Sequence, residues 1–147
     1  MSERFSWVVE NVIGGMQRPG LFRDLESDLS FLKNKGIDVI INLEEYERSY
    51  PDFEVLHIPV RDFGPPDLDD YSLFINFTSG KVRENKKIVV HCHAGMGRTN
   101  LMLACYIVVN NSMRPDLALM EVKNKRPVFM VTSEQEQSLW DFYYTII

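Results

Sequence analysis

Apolar residues in the first half of the chain follow two different periods. Short runs rich in β-branched and aromatic residues favour strands at Phe5–Val9, Val12–Gly15, Ile37–Leu43 and Glu54–Val60. The Gly14-Gly15 pair at the end of the second run predicts a tight turn. Between the second and third runs, a basic residue and a glycine mark the end of one predicted helix. The apolar positions of this helix keep helical spacing at Leu21, Phe22, Leu25, Leu29 and Leu32.

The second half of the chain is mainly helical in pattern. Asp67 has the spacing of a helix N-cap with an acid three residues later, and apolar positions then keep helical spacing. Ile88–Val90 predicts a short buried strand, and Leu101–Val109, apolar on every face, predicts a central helix. Two further helices are expected over Pro115–Lys125 and from Ser133 to the C-terminus.

Strands that alternate with helices predict an α/β fold with a central, mostly parallel β-sheet and helices on both faces. The chain has 147 residues, and no repeat or linker divides it. That length suits a single domain, which we place over residues 1–147.

Composition narrows the class of protein. A net charge of −5 disfavours a nucleic-acid binder, since no cationic field attracts the phosphate backbone. The longest apolar run has nine residues, against the roughly 20 that a membrane span needs, and the first residues lack the apolar region of a secretory signal. Only two cysteines occur, which favours a reducing compartment over a disulfide framework.

One loop stands out for its glycines and for the elements around it. The predicted buried strand ends at His91, and a buried helix starts near Arg98. Between them, Gly95 and Gly97 let the backbone curl so that successive N–H groups point at one centre. Because this loop follows a parallel strand and precedes a helix N-terminus, it predicts a site for a phosphate or sulfate ion.

Two side chains of this loop carry reactive chemistry. Cys92 stands at its floor, where inward N–H groups and the helix dipole favour the thiolate. Arg98 offers a planar fork for two phosphate oxygens. A zinc site is disfavoured, because the chain beyond residues 91–93 adds only one histidine and one cysteine. A nucleophile, an anion cradle and a fixed cation on one loop predict phosphoryl transfer.

The order His91-Cys92, five residues, Arg98-Thr99 resembles the signature loop of the cysteine-dependent protein tyrosine phosphatases. The resemblance is to their compact atypical dual-specificity branch and its archaeal counterparts, and four other segments share it: Phe5–Val8, Ile58–Pro66, Met102–Tyr106 and Thr132–Glu136. It implies the dual-specificity phosphatase fold. It also implies an enzyme that hydrolyses phosphotyrosine, and phosphoserine or phosphothreonine, in proteins through a phosphocysteine intermediate.

The resemblance implies a role for each residue of the loop. Cys92 would attack phosphorus, and Thr99 would hydrogen-bond the sulfur and ease its departure. His91 would orient the loop rather than transfer protons. The phosphate oxygens would be bound by the side chain of Arg98 and by the backbone of His93, Ala94, Gly95, Met96, Gly97 and Arg98.

Two residues outside the loop complete the implied set. Asp62 matches the mobile-loop aspartate that protonates the leaving group and then activates water, and Gln135 matches the glutamine that positions that water. Asp67, Asp69 and Asp70 are rival acids, but they fit the first turn of a helix as caps or favourable charges. Asp62 has no such local role, so we expect it to be the acid, with Asp67 as the alternative.

Several other positions are expected to matter less. Asn100 stands where the family usually has glycine, and a helix interior tolerates it. Arg126 is expected either near the mouth of the site or on the surface. Cys105 lies within an apolar helix and is expected in the core. Val128 and Val131 replace the family's usual glycine and glutamate and alter the loop before the last helix.

The resemblance also sets expectations for partners. Phosphorylated proteins are the expected substrates of a monomeric cytoplasmic enzyme, or a nuclear one in a eukaryote. Phosphate, vanadate or sulfate would bind in the site, with no metal or other cofactor, no nucleic acid and no membrane. A phosphoinositide or RNA 5′-phosphate phosphatase is an alternative, disfavoured because His93, Ala94 and Met96 provide no lysine. A non-catalytic phosphoprotein-binding module is disfavoured because Cys92 and Arg98 are both present.

Overall fold

The sheet has five strands within the computed structural model, which describes residues 4–147; residues 1–3 of the predicted domain lie outside the described residues. Its order is β1-β2-β5-β3-β4. Only β1 and β2 pair antiparallel, and the other three pairs are parallel, which confirms the mostly parallel sheet. The strands are β1 (Ser6–Val9), β2 (Ile13–Met16), β3 (Ile37–Asn42), β4 (Glu54–His57) and β5 (Lys87–His91).

Helices cover both faces of the sheet. Leu32 of the first helix packs in a cluster with Ile40 and Val89 on one face, while the neighbouring strand residues Ile41 and Val90 face the larger cluster formed with the other helices. The helices are α1 (Leu25–Asn34), α2 (Leu68–Arg83), α3 (Arg98–Asn110), α4 (Pro115–Lys125) and α5 (Ser133–Ile146). α3 is buried over almost its whole length, as its apolar pattern predicts, and Cys105 lies fully in the core.

Local capping chemistry sets where α1 and α2 begin. The carboxylate of Asp24 accepts a hydrogen bond from the backbone N–H of Ser27 (2.9 Å), so α1 starts at Leu25 and the predicted earlier start is wrong. In α2, Asp67 and Asp70 exchange side-chain to backbone hydrogen bonds of 2.8 and 3.0 Å, which confirms the predicted cap.

Two predicted strand features are also wrong. Gly14-Gly15 lies inside β2 rather than in a turn, because the chain reverses earlier, where the Val12 N–H bonds the Val9 carbonyl (2.9 Å). β4 ends at His57 rather than at residue 60, although the N–H groups of Ile58 and Val60 still donate to the carbonyls of Asn42 and Leu43 (2.9 and 3.1 Å). No helix within residues 4–147 is long and apolar enough to cross a membrane.

Candidate active site

The loop between β5 and α3, residues 92–97, forms the floor of a cavity of about 130 Å³ at the carboxyl end of the parallel strands. We call residues 92–97 the Cys92 loop. The cavity brings Asp62 and Gln135, which are distant in sequence, together with Cys92 and Arg98. Cys92 lies at the base of the cavity and is only 3% exposed. Of the other predicted residues, His93, Ala94, Met96 and Gly97 also line the cavity.

The carbonyl groups of the Cys92 loop all bond to groups outside it. Each of the five carbonyls from residue 92 to residue 96 accepts a hydrogen bond of 2.8–3.1 Å from, in order, the His91 Nδ1, the Arg18 N–H, the Arg4 Nη1, the Arg126 Nη1 and the Asn100 Nδ2. In a trans peptide the N–H of the next residue points opposite to the carbonyl. The N–H groups of residues 93–97 are therefore turned toward the cavity, as an anion site requires.

Gly95 makes the tight curve of this loop possible. Its φ of +75° lies in the left-handed region. A Cβ atom at this position would also lie 2.6 Å from the Met16 carbonyl oxygen at the end of β2. No other residue fits there without moving the strand, so the sequence signal of two glycines reflects a real steric requirement.

Arg98 is almost fully buried and is shared by two carboxylates. Its Nη1 donates to the Val60 carbonyl (2.8 Å) and to Glu45 Oε1 (3.0 Å), and its Nη2 lies 3.3 Å from Asp62 Oδ1. The guanidinium is thereby fixed at the wall of the cavity. Because the Asp62 side chain is 54% exposed, it remains free to reach a bound group.

Glu45 is a site residue that sequence reasoning missed. Its second oxygen accepts from the Asp62 backbone N–H (3.2 Å), so one carboxylate holds both the arginine and the loop that carries the candidate acid. Hydrogen bonds from its own backbone N–H and from that of Asp62 lower the pKa of Glu45 below its usual 4.5. The available signal is its position just beyond the carboxyl end of β3, where ligand sites form.

His91 is completely buried and neutral. Its Nδ1 must donate to the Cys92 carbonyl (3.1 Å), so its Nε2 accepts from the Tyr50 hydroxyl (3.0 Å). Burial lowers the pKa of His91 to about 3. This geometry supports the predicted orienting role, with Tyr50 as a second residue that the sequence pattern did not reveal.

Thr99 does not make the predicted hydrogen bond to the Cys92 sulfur. Its hydroxyl is buried and has no hydrogen-bond partner within the described residues. The side chain is rotated so that Cγ2 packs against Gly15, where a Cβ atom would lie only 2.7 Å away. The hydroxyl therefore keeps its bonding capacity beside the site.

Gln135 is buried at the wall of the cavity but is already engaged. Its Oε1 accepts from the Thr132 N–H (2.9 Å) and its Nε2 donates to the Gly64 carbonyl (3.0 Å). One N–H of the amide is still available to a water molecule. The rival acid Asp67 does not line the cavity and is occupied by its capping bonds.

Arg126 lies neither at the mouth of the site nor on the surface, so both expectations are wrong. It is fully buried behind the Cys92 loop, where it contacts the Gly95 carbonyl and Asn100. The side chain of Asn100 also donates hydrogen bonds to the carbonyls of Met96 (2.8 Å) and Val128 (2.7 Å). Glycine, the residue usual in the family at this position, has no side chain that could form them.

Proteins of similar sequence include several named as phosphatases. A family model described as "Polymorphic toxin system, DSP-PTPase phosphatase" matches residues 14–112. Phosphatidylglycerophosphate phosphatase PTPMT2 of Arabidopsis thaliana is 32% identical over 124 residues, 78% of this chain and 54% of that protein. Protein tyrosine phosphatase domain-containing protein 1 of Mus musculus is 33% identical over 155 residues, 88% of this chain and 20% of that protein. The chain thus spans about half or less of these curated relatives.

Solved structures give the same picture for the fold. The crystal structure of Tk-PTP in the active form has a TM-score of 0.86 at 27% identity, covering 99% of this chain and 100% of that one. The structure of PTPMT1 has a TM-score of 0.80, covering 97% of this chain and 95% of that one. At 19% identity, the second likeness shows the fold alone.

Proposed function

This chain belongs to the DSP-PTPase family of phosphatases, in the cysteine-dependent tyrosine phosphatase superfamily, and we propose that it hydrolyses phosphate monoesters on proteins. Phosphotyrosine is the first expected substrate, with phosphoserine and phosphothreonine also accepted. The observation that carries the proposal is one cavity lined by Cys92, Arg98 and Asp62 above a loop whose N–H groups face inward.

The reaction proceeds in two balanced steps. The Cys92 thiolate attacks phosphorus, so that an S–P bond forms as the ester P–O bond breaks and Asp62 gives its proton to the leaving oxygen. Water then attacks the phosphocysteine and gives a proton to Asp62, and the S–P bond breaks to release inorganic phosphate. The free N–H of Gln135 is available to orient that water.

Charge on the transferring group is stabilised by groups already in place. Arg98 is fixed before substrate binds, and the N–H groups of residues 93–97 are held inward by the outer bonds of the Cys92 loop. Preorganised donors of this kind stabilise developing negative charge without reorganisation at the moment of reaction. The cavity of about 130 Å³ has the volume of about four water molecules at ~30 Å³ each, which suits one phosphate group.

The rim of the cavity favours an aromatic phosphate ester. Phe63 and Met130 are 60% and 52% exposed, and Met96 lies beside them on the Cys92 loop. Exposed apolar side chains around a phosphate site offer a surface for an aromatic ring. The loop carries no lysine that would recognise additional phosphates.

A phospholipid monoester is the second candidate substrate. The same apolar rim suits a lipid, and the Arabidopsis relative is named a phosphatidylglycerophosphate phosphatase. It ranks second because, among residues 4–147, no basic side chain lines the cavity apart from His93 and Arg98.

Phosphate release from two substrates, measured at equal concentration, discriminates between these candidates. We expect kcat/KM to be higher for a phosphotyrosine peptide than for a phospholipid monoester in vesicles. Comparing kcat/KM for the same peptide with phosphoserine or phosphothreonine shows which phosphorylated residue is preferred. Cys92→Ser is the inactive control. A preference for the lipid would replace the protein-substrate proposal, and no turnover of either would contradict it.

A further inference from the structure

Arg126 and Asn100 form a second layer of the site that the reaction scheme leaves unassigned. We propose that these two are positioning residues, which hold the carbonyls of Gly95 and Met96 outward and place a buried positive charge behind the Cys92 loop, so that the loop binds a phosphate dianion. The inference deepens the proposed function and rests on it.

Arg126 is bonded to three different parts of the chain. Its Nη1 donates to the Gly95 carbonyl (2.8 Å) and to Asn100 Oδ1, and its Nη2 donates to the Arg4 carbonyl (2.6 Å). A Cβ atom at residue 15 would lie 3.2 Å from the Arg126 Cζ, so the glycine there leaves room for the guanidinium. A buried site of this shape fixes the guanidinium against the outer side of the loop.

Arg126 differs from Arg98 in its charged neighbours. Among residues 4–147 it forms no ion pair, whereas Arg98 contacts both Glu45 and Asp62. Burial lowers its pKa to about 10, so the side chain stays protonated at neutral pH. A buried charge without a carboxylate partner destabilises the fold. The Cys92 thiolate raises the pKa of Arg126 and so favours its charge, and an anion bound on the other side of the loop adds a second counter-charge.

Asn100 connects Arg126 to the next peptide of the loop. Its Oδ1 accepts from Arg126, while its Nδ2 donates to the Met96 and Val128 carbonyls. The two side chains thus hold the carbonyls of residues 95 and 96 outward, and the Met130 N–H (2.8 Å) also bonds the second of these carbonyls. If either peptide rotated, a carbonyl oxygen would replace an N–H donor in the cavity and repel phosphate.

Binding of inorganic phosphate to Cys92→Ser protein by titration calorimetry tests this inference without turnover. Arg126→Met in that background should weaken phosphate binding about tenfold or more, the effect of losing charge-assisted bonds. Arg114→Met is the matched control, because it removes the same charge from an exposed arginine paired with Asp116. The control should change phosphate affinity by less than about twofold, the small effect of a surface charge.

Asn100→Gly keeps the test decisive if Arg126→Met does not fold, since glycine is the residue usual in the family at this position. It should weaken phosphate binding at least about threefold through the loss of its bonds to the loop. A merely structural role would lower the melting temperature and leave phosphate affinity unchanged, which would overturn the inference. Failure of Cys92→Ser itself to bind phosphate would contradict the proposed function instead.

Discussion

At the scale of single residues, Asp62 separates acid catalysis from phosphate binding. Asp62→Asn should lower kcat about 100-fold for an alkyl phosphate, because the leaving oxygen then departs without a proton. The loss should be much smaller for an aryl phosphate with a good leaving group. Steady-state kinetics over a series of esters measures this difference.

The control for this prediction is Asp67→Asn, at the rival acid. Its carboxylate caps α2 and does not line the cavity, and asparagine caps helices as well as aspartate does. We expect a nearly unchanged melting temperature and no change in leaving-group dependence. If Asp67→Asn altered that dependence and Asp62→Asn did not, the acid would be Asp67.

His91 makes the stability of the protein depend on pH. Its pKa is about 3 when folded and about 6.5 when unfolded, so between these values the unfolded chain binds the extra proton. The stability contribution is complete above pH 6.5 and is lost as pH falls toward 3. From pH 7 to pH 5 this loss is about 2 kcal/mol.

Urea unfolding at the two pH values measures the effect. His91→Gln removes the titrating group, so its free energy of unfolding should fall about 2 kcal/mol less than that of the native protein over the same interval. Equal losses in the native protein and His91→Gln would contradict the prediction.

At the scale of elements, the site is a set of loops tied to one another. Glu45, after β3, holds both Arg98 at the start of α3 and the Asp62 backbone. Gln135 in α5 holds Gly64 in the loop that carries the acid. The Asp62 loop is therefore anchored on both sides of its acid, which places that acid over the Cys92 loop before substrate arrives.

Elements whose limits depend on local chemistry could be predicted from sequence. Asp67 caps α2, and α4 begins at Pro115, because a cap or a missing N–H acts within a few residues. The predicted start of α1 was wrong because Leu21 and Phe22 lie in a turning segment before the Asp24 cap, although their spacing is helical. An apolar period alone cannot reveal such a cap.

The placement of Cys92 and Arg98 in one cavity could also be predicted, because the two residues share one loop. The placement of Glu45, Tyr50 and Arg126 could not be predicted, since each acts through contacts with residues more than 30 positions away. A local sequence pattern does not show that an arginine is buried without a carboxylate partner.

At the scale of the whole molecule, a net charge of −5 gives no general attraction for a phosphate dianion. The attraction comes from the Cys92 loop, Arg98 and the buried Arg126, which lie within one small region. Screening at physiological salt acts over about 8 Å, so this local set operates largely independently of the acidic surface.

The central claim is that phosphate passes through a covalent bond to Cys92. Mass spectrometry of protein acid-quenched within milliseconds of mixing with an aryl phosphate in EDTA tests it most directly. We predict one phosphoryl group on the peptide that contains Cys92, and neither label nor turnover in Cys92→Ser. Steady turnover without label on Cys92, or turnover retained in Cys92→Ser, would contradict the account.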